Sequence, residues 1–391
     1  MWLLEFLFFS TTLLVGWTLF GYFIFIWFVG LFRDKRPAAI PEHWPFITVI
    51  VPCLNESALA LEKLANLRNS AYPRDRMEII FADGGSTDGG AEMLTAAILP
   101  DEPFRVERCP APGKINQLNH VLPMAKGEII VNTDADARLT ENTLQNIVSE
   151  ICADSQVWVA GAYCRPVNTL EFEKMYWDAQ NKGRFLETKA MSSSIVTAPC
   201  YAFRRELISS FPDDTVADDV YIAMLASAKG KRVVQSSSAH VEELRGPSSV
   251  AEFMPHKFRK SNAFLRESLR FVYRLPDMPH LIRLMLATRI GQQVALPWLL
   301  ILWALLAGTL ITMGRLDIPV IGTIFLFVMA WLTFMVFRSV KLPNGSNRYS
   351  AWTKISGNFL TLTILMATGV SYPWFRQTSS YARVNSSDKS K

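Results

Sequence analysis

Asp134 and Asp136 stand two residues apart in the run Ile129-Ile130-Val131-Asn132-Thr133-Asp134-Ala135-Asp136. The apolar stretch Ile129–Val131 reads as a buried strand. At the frayed end of a strand, two such carboxylates can both turn toward one ligand. Carboxylates that close repel each other unless a positive charge sits between them. Hard oxygen donors suit a divalent cation, Mg²⁺ or Mn²⁺, shared with substrate phosphates. The plainer reading is a solvated turn, where Asp is common, so the neighbours have to decide. Three other polar clusters are candidates. Pro52-Cys53-Leu54-Asn55-Glu56 follows the apolar run 46–51, and Asp83-Gly84-Gly85-Ser86-Thr87-Asp88 follows 77–81. Asp218-Asp219 precedes the helical pattern 220–228. There an Asp caps the helix and favours its dipole, or serves as a base.

These groups need elements to hold them. Strands are expected at 46–51, 77–81, 105–108 and 129–131, with helices at 58–70, 91–99 and 114–125 between them. Alternation of this kind argues an α/β fold with a mostly parallel sheet, in which ligands sit at the carboxyl ends of the strands. The clusters around Asn55, Asp83 and Asp134 fall at those ends. Further on, the pattern predicts helices at 140–152, with Thr140 as N-cap, and at 170–190, where Trp177 and Phe185 lie on an apolar side. It predicts strands at 157–160, 200–203 and 231–235.

The flanks have another character. Half of the 391 residues are hydrophobic, only 19% are charged, and there are 25 Phe and 11 Trp, which is too apolar for an average soluble enzyme. Residues 2–32 carry one charged residue, Glu5, and are long enough to cross a bilayer, which needs ~20 apolar residues. The segment has neither a basic start nor a small-residue cleavage site, so it reads as an uncleaved span. Arg33-Asp34-Lys35-Arg36 follows, which places residue 37 onward in the cytosol. Spans are expected again at 294–313, 318–337 and 355–375. Arg338, Lys341, Arg348 and Lys354 put the last connection in the cytosol. Basic residues in the polar tail, 377–391, argue against an external tail, so the last span reads as re-entrant or interfacial. Arg259, Arg266 and Arg270 form one stripe of a basic amphipathic helix of interfacial type. The resulting division is a transmembrane helix at 1–36, a cytosolic catalytic domain at 37–250, interfacial helices at 251–290, C-terminal spans at 291–376 and the tail. The net charge of +5 clusters beside apolar segments, which favours a membrane surface over nucleic acid. Five scattered cysteines and five histidines without metal spacing exclude a disulfide framework and a zinc site.

Taken in order, Val51-Pro52…Asn55-Glu56, Asp83-Gly84-Gly85-Ser86-Thr87-Asp88, Gly113-Lys114…Asn119, Asp134-Ala135-Asp136 and Asp218-Asp219 resemble the inverting glycosyltransferases of the large family that includes cellulose, chitin and hyaluronan synthases, dolichol-phosphate sugar synthases and ceramide glucosyltransferases. The resemblance covers about residues 46 to 275. It implies a Rossmann-like GT-A domain between transmembrane helices. It also implies donor binding by Pro52, Asn55, Glu56, Asp83, Lys114, Asp134 and Arg259. Asp83 would hold the base, since an Asp can accept the imide N–H of uracil. Asp134 and Asp136 would bind Mg²⁺ or Mn²⁺, and Asp219 would act as general base beside Asp218. The family's Gln-x-x-Arg-Trp is matched by His256-Lys257-Phe258-Arg259-Lys260, which keeps the Arg and lacks the Trp platform. That departure favours a single transfer from a nucleotide sugar, a UDP-sugar in the first place, to a membrane lipid or lipid-linked acceptor. A processive exopolysaccharide synthase is the alternative. A phosphotransferase using Asp-x-Asp lacks its aspartyl nucleophile after the first strand, and a non-catalytic subunit or transporter would have no purpose for the acids.

Overall fold

The structure, a computed structural model, describes residues 1–33, 40–345 and 349–375. Asp34-Lys35-Arg36, Arg348 and the tail 377–391, which entered the topology argument, lie outside the described residues. The chain opens with α1 (Trp2–Gly16), a π-helical turn (Trp17–Gly21) and α2 (Tyr22–Leu31). The sheet domain then runs β1 (Ile47–Cys53), α3 (Ser57–Arg68), β2 (Met77–Asp83), α4 (Gly90–Ala97), β3 (Phe104–Arg108), α5 (Lys114–Val121), β4 (Ile129–Thr133) and β5 (Ala137–Leu139). It continues through α6 (Thr143–Cys152), β6 (Val157–Pro166), α7 (Glu171–Ala190), β7 (Cys200–Arg204), α8 (Asp218–Ala228) and β8 (Arg232–Glu243). After it come α9 (Val250–Arg270), α10 (His280–Val294), α11 (Leu296–Thr312), α12 (Asp317–Ser339) and α13 (Ala351–Ser371).

The eight strands form one mixed, mostly parallel sheet in the order β3-β2-β1-β4-β7-β6-β8-β5. The chain winds outward from β1 to β3, then crosses back to place β4 on the other side of β1, parallel to it. The reversal opens a crevice at the carboxyl ends of β1 and β4, where ligands of open α/β sheets bind. Side chains alternate across the pleat. Ile47, Val49 and Val51 pack with Leu64 and Ile147 on one face, and Ile50 and Ile80 pack with Leu118, Val121 and Ile222 on the other. The sheet is therefore a buried layer between helices, which accounts for its unbroken apolar runs. All five cysteines are free.

Several boundaries differ from the sequence reading. α6 starts at Thr143, with Asn142 rather than Thr140 at the N-cap position and no side-chain cap bond, and the Thr140 hydroxyl meets Thr143 Oγ1 at 2.8 Å. β8 runs on through Ser236-Ser237-Ser238 to Glu243, and β5 pairs with its far end. Hydroxyl-rich segments carry little hydrophobic pattern, so periodicity could not reveal either. Among the described residues two helices are long and apolar enough to cross a membrane, Trp2–Leu31 and Asp317–Ser339. The span expected at 294–313 is instead the second arm of a pair, α10 and α11, bent by 61°. Pro297, at the start of α11, cannot donate the hydrogen bond that would continue α10. The pair adds a third span if it counts as one. The helix at the last expected span, α13, does not reach that apolarity. Its threonines and serines dilute it, and it packs on α7, where a Cβ on Gly357 would meet Met175.

The expected interfacial helix is held by the sheet domain. α9 buries Phe253, Lys257, Leu265 and Glu267. Two members of its basic stripe, Arg266 and Arg270, grip Asp214 at 3.2 and 2.8 Å, and Glu267 accepts the Val216 N–H at 2.8 Å. α9 thus fixes the loop that leads into Asp218.

Candidate active site

Asp134 and Asp136 lie on the turn between β4 and β5, at the crevice. The turn is closed by the Ala137 N–H donating to the Asp134 carbonyl at 3.1 Å. Beneath it, fully buried, Lys63 spans the two ends and donates to Thr133 Oγ1 at 2.8 Å and to the Ala137 carbonyl at 2.7 Å. Desolvation pulls this ammonium down to about 7, with Asp134 and Asp136 among the charges that oppose the fall.

Gly113 takes φ +111°, a conformation that favours glycine, and starts α5 so that Lys114 faces the crevice. Lys114 Nζ lies 2.8 Å from Asp134 Oδ1 and 3.1 Å from Asp218 Oδ2. Burial alone would lower its pKa, but Asp134 and Asp218 outweigh burial and hold it well above the usual lysine value. On the other side, β8 pairs with β5 and delivers Arg245, whose guanidinium bridges Asp136 and Glu56 at 2.6 Å each.

Asp218 and Asp219 open α8. Asp218 is buried and its Oδ2 also accepts from the Tyr201 hydroxyl at 2.6 Å and from Asn132 Nδ2 at 3.1 Å. Asp219 is half-buried. Burial and the adjacent Asp218 carboxylate push its carboxyl up to about 6, against the pull of Lys114.

A cavity of about 1320 Å³ joins these groups. Pro52, Glu56, Lys114, Asp134, Asp136, Asp218, Asp219 and Arg259 all line it. Asn55 and Asp83 do not. Asp83 is buried and accepts from the Gly85 and Ser86 N–H groups and the Ser86 hydroxyl, so it shapes its own loop. Asn55, at φ +49°, ties that loop to β1 by accepting the Thr87 N–H at 2.7 Å. The lining continues past the sheet domain to Thr18, Leu19 and Phe23 of the first helix, to Arg289 and Gln292 of α10 and to Ile364 of α13. Tyr176 and Trp177 also line it, so aromatic faces are present although the Gln-x-x-Arg-Trp match lacks its Trp.

Sequence reasoning missed Lys63, Arg245 and Tyr201. For Lys63 there was a signal: Ala60, Lys63, Leu64 and Leu67 fall on one face of α3, so the lysine occupies an apolar position. Arg245 is in a loop and Tyr201 reads as an ordinary strand residue.

Among the described residues no three His, Cys, Asp or Glu side chains converge on one metal position. Asp134 and Asp136 nevertheless fit Mg²⁺ or Mn²⁺, because such ions are held by one or two carboxylates and complete their shell with substrate phosphates and water. Lys114 and Arg245 pair with these two acids.

Residues 48–211 match the family model Glycosyl transferase family 2. Over 317 residues the chain is 24% identical to an N-acetylglucosaminyltransferase of Rhizobium leguminosarum bv. viciae, covering 76% of this chain and 70% of that protein. It is 35% identical over 121 residues to a beta-monoglucosyldiacylglycerol synthase of Nostoc sp., covering 28% of this chain and only 26% of that one. A mannosyltransferase from Pyrobaculum calidifontis, solved in complex with GDP-Man and Mn²⁺, superposes with a TM-score of 0.69 at 25% identity, over 95% of this chain and 99% of that one. Residues 48–211 thus carry a glycosyl transferase family 2 domain in a GT-A-like fold, and the chain is a glycosyltransferase.

Proposed function

We propose that this glycosyltransferase moves one sugar, with inversion, from a nucleotide sugar to a lipid or lipid-linked acceptor at the cytosolic face of a membrane. One observation carries the reading: a single cavity runs from Lys114, Asp134 and Asp219 to side chains of the first apolar helix and of α13. The donor enters at the sheet crevice. Lys114 and Arg259 bring positive charge to its diphosphate. Asp134 and Asp136 would hold Mg²⁺ or Mn²⁺, which as a Lewis acid supplies charge stabilisation to the leaving diphosphate. UDP-sugars are the first donors to test and GDP-sugars the second.

The acceptor oxygen attacks the anomeric carbon from the face opposite the diphosphate. The new C–O bond forms as the bond to the diphosphate oxygen breaks, and that electron pair leaves on the nucleoside diphosphate. Asp219 takes the proton of the attacking hydroxyl. A carboxylate raised toward neutrality suits this task, because an acid of ordinary strength would hold the proton too weakly. Attack from the opposite face inverts the centre, by the geometry that governs inverting hydrolases.

The test is nucleoside diphosphate release from a panel of UDP- and GDP-sugars by the full chain in lipid nanodiscs containing membrane extract. Release should need Mn²⁺ or Mg²⁺, stop with EDTA and yield a product one sugar larger than its acceptor. A ladder of long products would turn the reading to a processive synthase. Failure of every donor would overturn it.

A further inference from the structure

Glu267, on α9, is fully buried, and its Oε1 accepts the Val216 N–H at 2.8 Å. A buried carboxylate is costly unless it is paired, and the hydrogen-bond donor here is a backbone N–H three residues before Asp219. The other oxygen, Oε2, faces Arg270 Nε at 3.2 Å. Arg270 and Arg266 reach on to the Asp214 carboxylate, and Arg266 Nη2 also donates to the Asp214 carbonyl at 3.0 Å. α9 therefore takes hold of loop 213–217 at a side chain, a carbonyl and an N–H.

That loop is cavity wall, since Asp213, Thr215, Val216 and Ala217 line it. It leads into α8, whose N-cap position, Ala217, makes no side-chain cap bond. A helix end without a cap depends on other contacts to stay closed. From the sheet side, Asp218 is held by Tyr201, Asn132 and Lys114. From the opposite side the polar hold is Glu267. Next to it Val220 and Met224 of α8 pack with Phe271, at the end of α9, and with Ile282 and Leu286 of α10.

α9 also carries Arg259, which lines the cavity eight residues before Glu267. At 1.5 Å per residue the two lie about 12 Å apart along one helix axis. One rod thus connects both ends of the proposed displacement, with Arg259 toward the leaving diphosphate and Glu267 behind the loop that leads to Asp219. Such a displacement needs both ends in register, because misplacing a reacting group by about 1 Å can cost 10²-fold in rate.

We infer that Glu267 is a positioning residue for the transfer: through the Val216 N–H it sets where Asp219 meets the acceptor hydroxyl. The inference rests on the proposed role of Asp219 as base and adds the residue that aims it. Glu267 acts from behind the wall, through the loop alone.

The test compares wild type with Glu267→Ala, Glu267→Gln, Asp214→Ala and Asp219→Asn, as full chains in the same nanodiscs, with the donor that the turnover panel selects. Glu267→Ala should lower kcat about 10- to 100-fold while donor KM and UDP affinity stay within about twofold. Its acid limb should move below about 6, since a loosened loop admits water to Asp219 and water favours the carboxylate. Amide hydrogen exchange over 213–221 should quicken in the same variant. Glu267→Gln still offers an oxygen to the Val216 N–H, so it should recover most of kcat and keep the wild-type limb. Burial raises the carboxyl of Glu267 too, but an amide does not titrate, so a limb kept in Glu267→Gln belongs to another group. Asp214→Ala releases an exposed grip on the same loop and should lower kcat severalfold with UDP affinity unchanged.

Wild-type kcat in Glu267→Ala, a fall with the acid limb unmoved, or a Glu267→Gln variant no better than Glu267→Ala overturns the positioning role. If Glu267→Ala does not fold, wild-type kcat in Asp214→Ala overturns it. Full turnover by Asp219→Asn, or no turnover of any donor, instead fails the reading of Asp219 as base, and the inference falls with it.

Discussion

The Tyr201 hydroxyl donates to Asp218 Oδ2 at 2.6 Å, and this contact distinguishes Asp218 from the adjacent Asp219. The same oxygen takes Asn132 and Lys114, so Asp218 is a buried anchor. Both acids line the cavity, and Asp219 is the less buried of the two. Asp219→Asn should lower turnover by about 10²- to 10⁴-fold, the usual worth of a general base, with an unchanged melting temperature. Asp218→Asn should melt earlier, since it disrupts a buried charged network at a cost of about 1–3 kcal/mol, and Tyr201→Phe should melt earlier by a smaller margin. Melting curves and donor turnover on the three variants check this. An Asp218 variant that is stable and inactive beside an active Asp219 variant would exchange the assignments.

As the proposed base, Asp219 sets the pH profile. A base works when ionised, and burial with the Asp218 charge has raised its carboxyl to about 6. Activity is therefore lost as pH falls through about 6, and kcat/KM should drop tenfold per pH unit below it. A wild-type profile flat down to pH 4.5 would remove Asp219 from the proton transfer.

Lys63 gives a stability signature. Its folded pKa is about 7, against ~10.4 for a free lysine. Between those values the unfolded chain binds more protons than the folded one, so stability rises with pH across that window. Below about 7 both states are protonated and the dependence vanishes. Melting temperatures of wild type and Lys63→Met between pH 6.5 and 9.5 should diverge, the wild type gaining with pH relative to the variant. Parallel curves would show that Lys63 titrates as an exposed lysine does.

Arg245 occupies Asp136 Oδ2 at 2.6 Å, so it would compete with a cation held at the proposed site. Arg245→Ala should bind Mn²⁺ severalfold more tightly, measured by electron paramagnetic resonance of free Mn²⁺ without any turnover. Weaker binding in the variant would mean that Arg245 shapes the metal site.

Much of the site was legible because its acids end apolar runs. Asp134 after Ile129–Val131, Asp218-Asp219 before 220–228 and Lys114 behind Gly113 were all read from the chain, and the cavity brings them together. The order of those clusters also exposed the glycosyltransferase domain and its sheet. What stayed hidden were cations in apolar stripes. Lys63 falls in line with Ala60, Leu64 and Leu67, and Arg184 falls seven residues after Trp177 on α7, yet a helical Lys or Arg is normally solvated. Only the packing of α3 on the Asp-x-Asp turn, and of α7 against α2 and α13, shows that these two are buried. Asp83 was legible as an important residue but not in its contacts, because the turn N–H groups it accepts become visible only once the loop has closed. The bend at Pro297 and the polar dilution of α13 were present in the sequence, but a window average over apolar residues smooths both away.

The most direct measurement is the fate and configuration of the transferred sugar. The full chain in nanodiscs is given a ¹³C-labelled α-linked nucleotide sugar with Mn²⁺, and the lipid phase is extracted and examined by NMR. The expected result is label in the lipid phase as a β-linked single sugar, absent from Asp136→Asn and Asp219→Asn. Label in the lipid phase with α configuration, or undiminished transfer by both variants, would contradict inverting transfer by these acids.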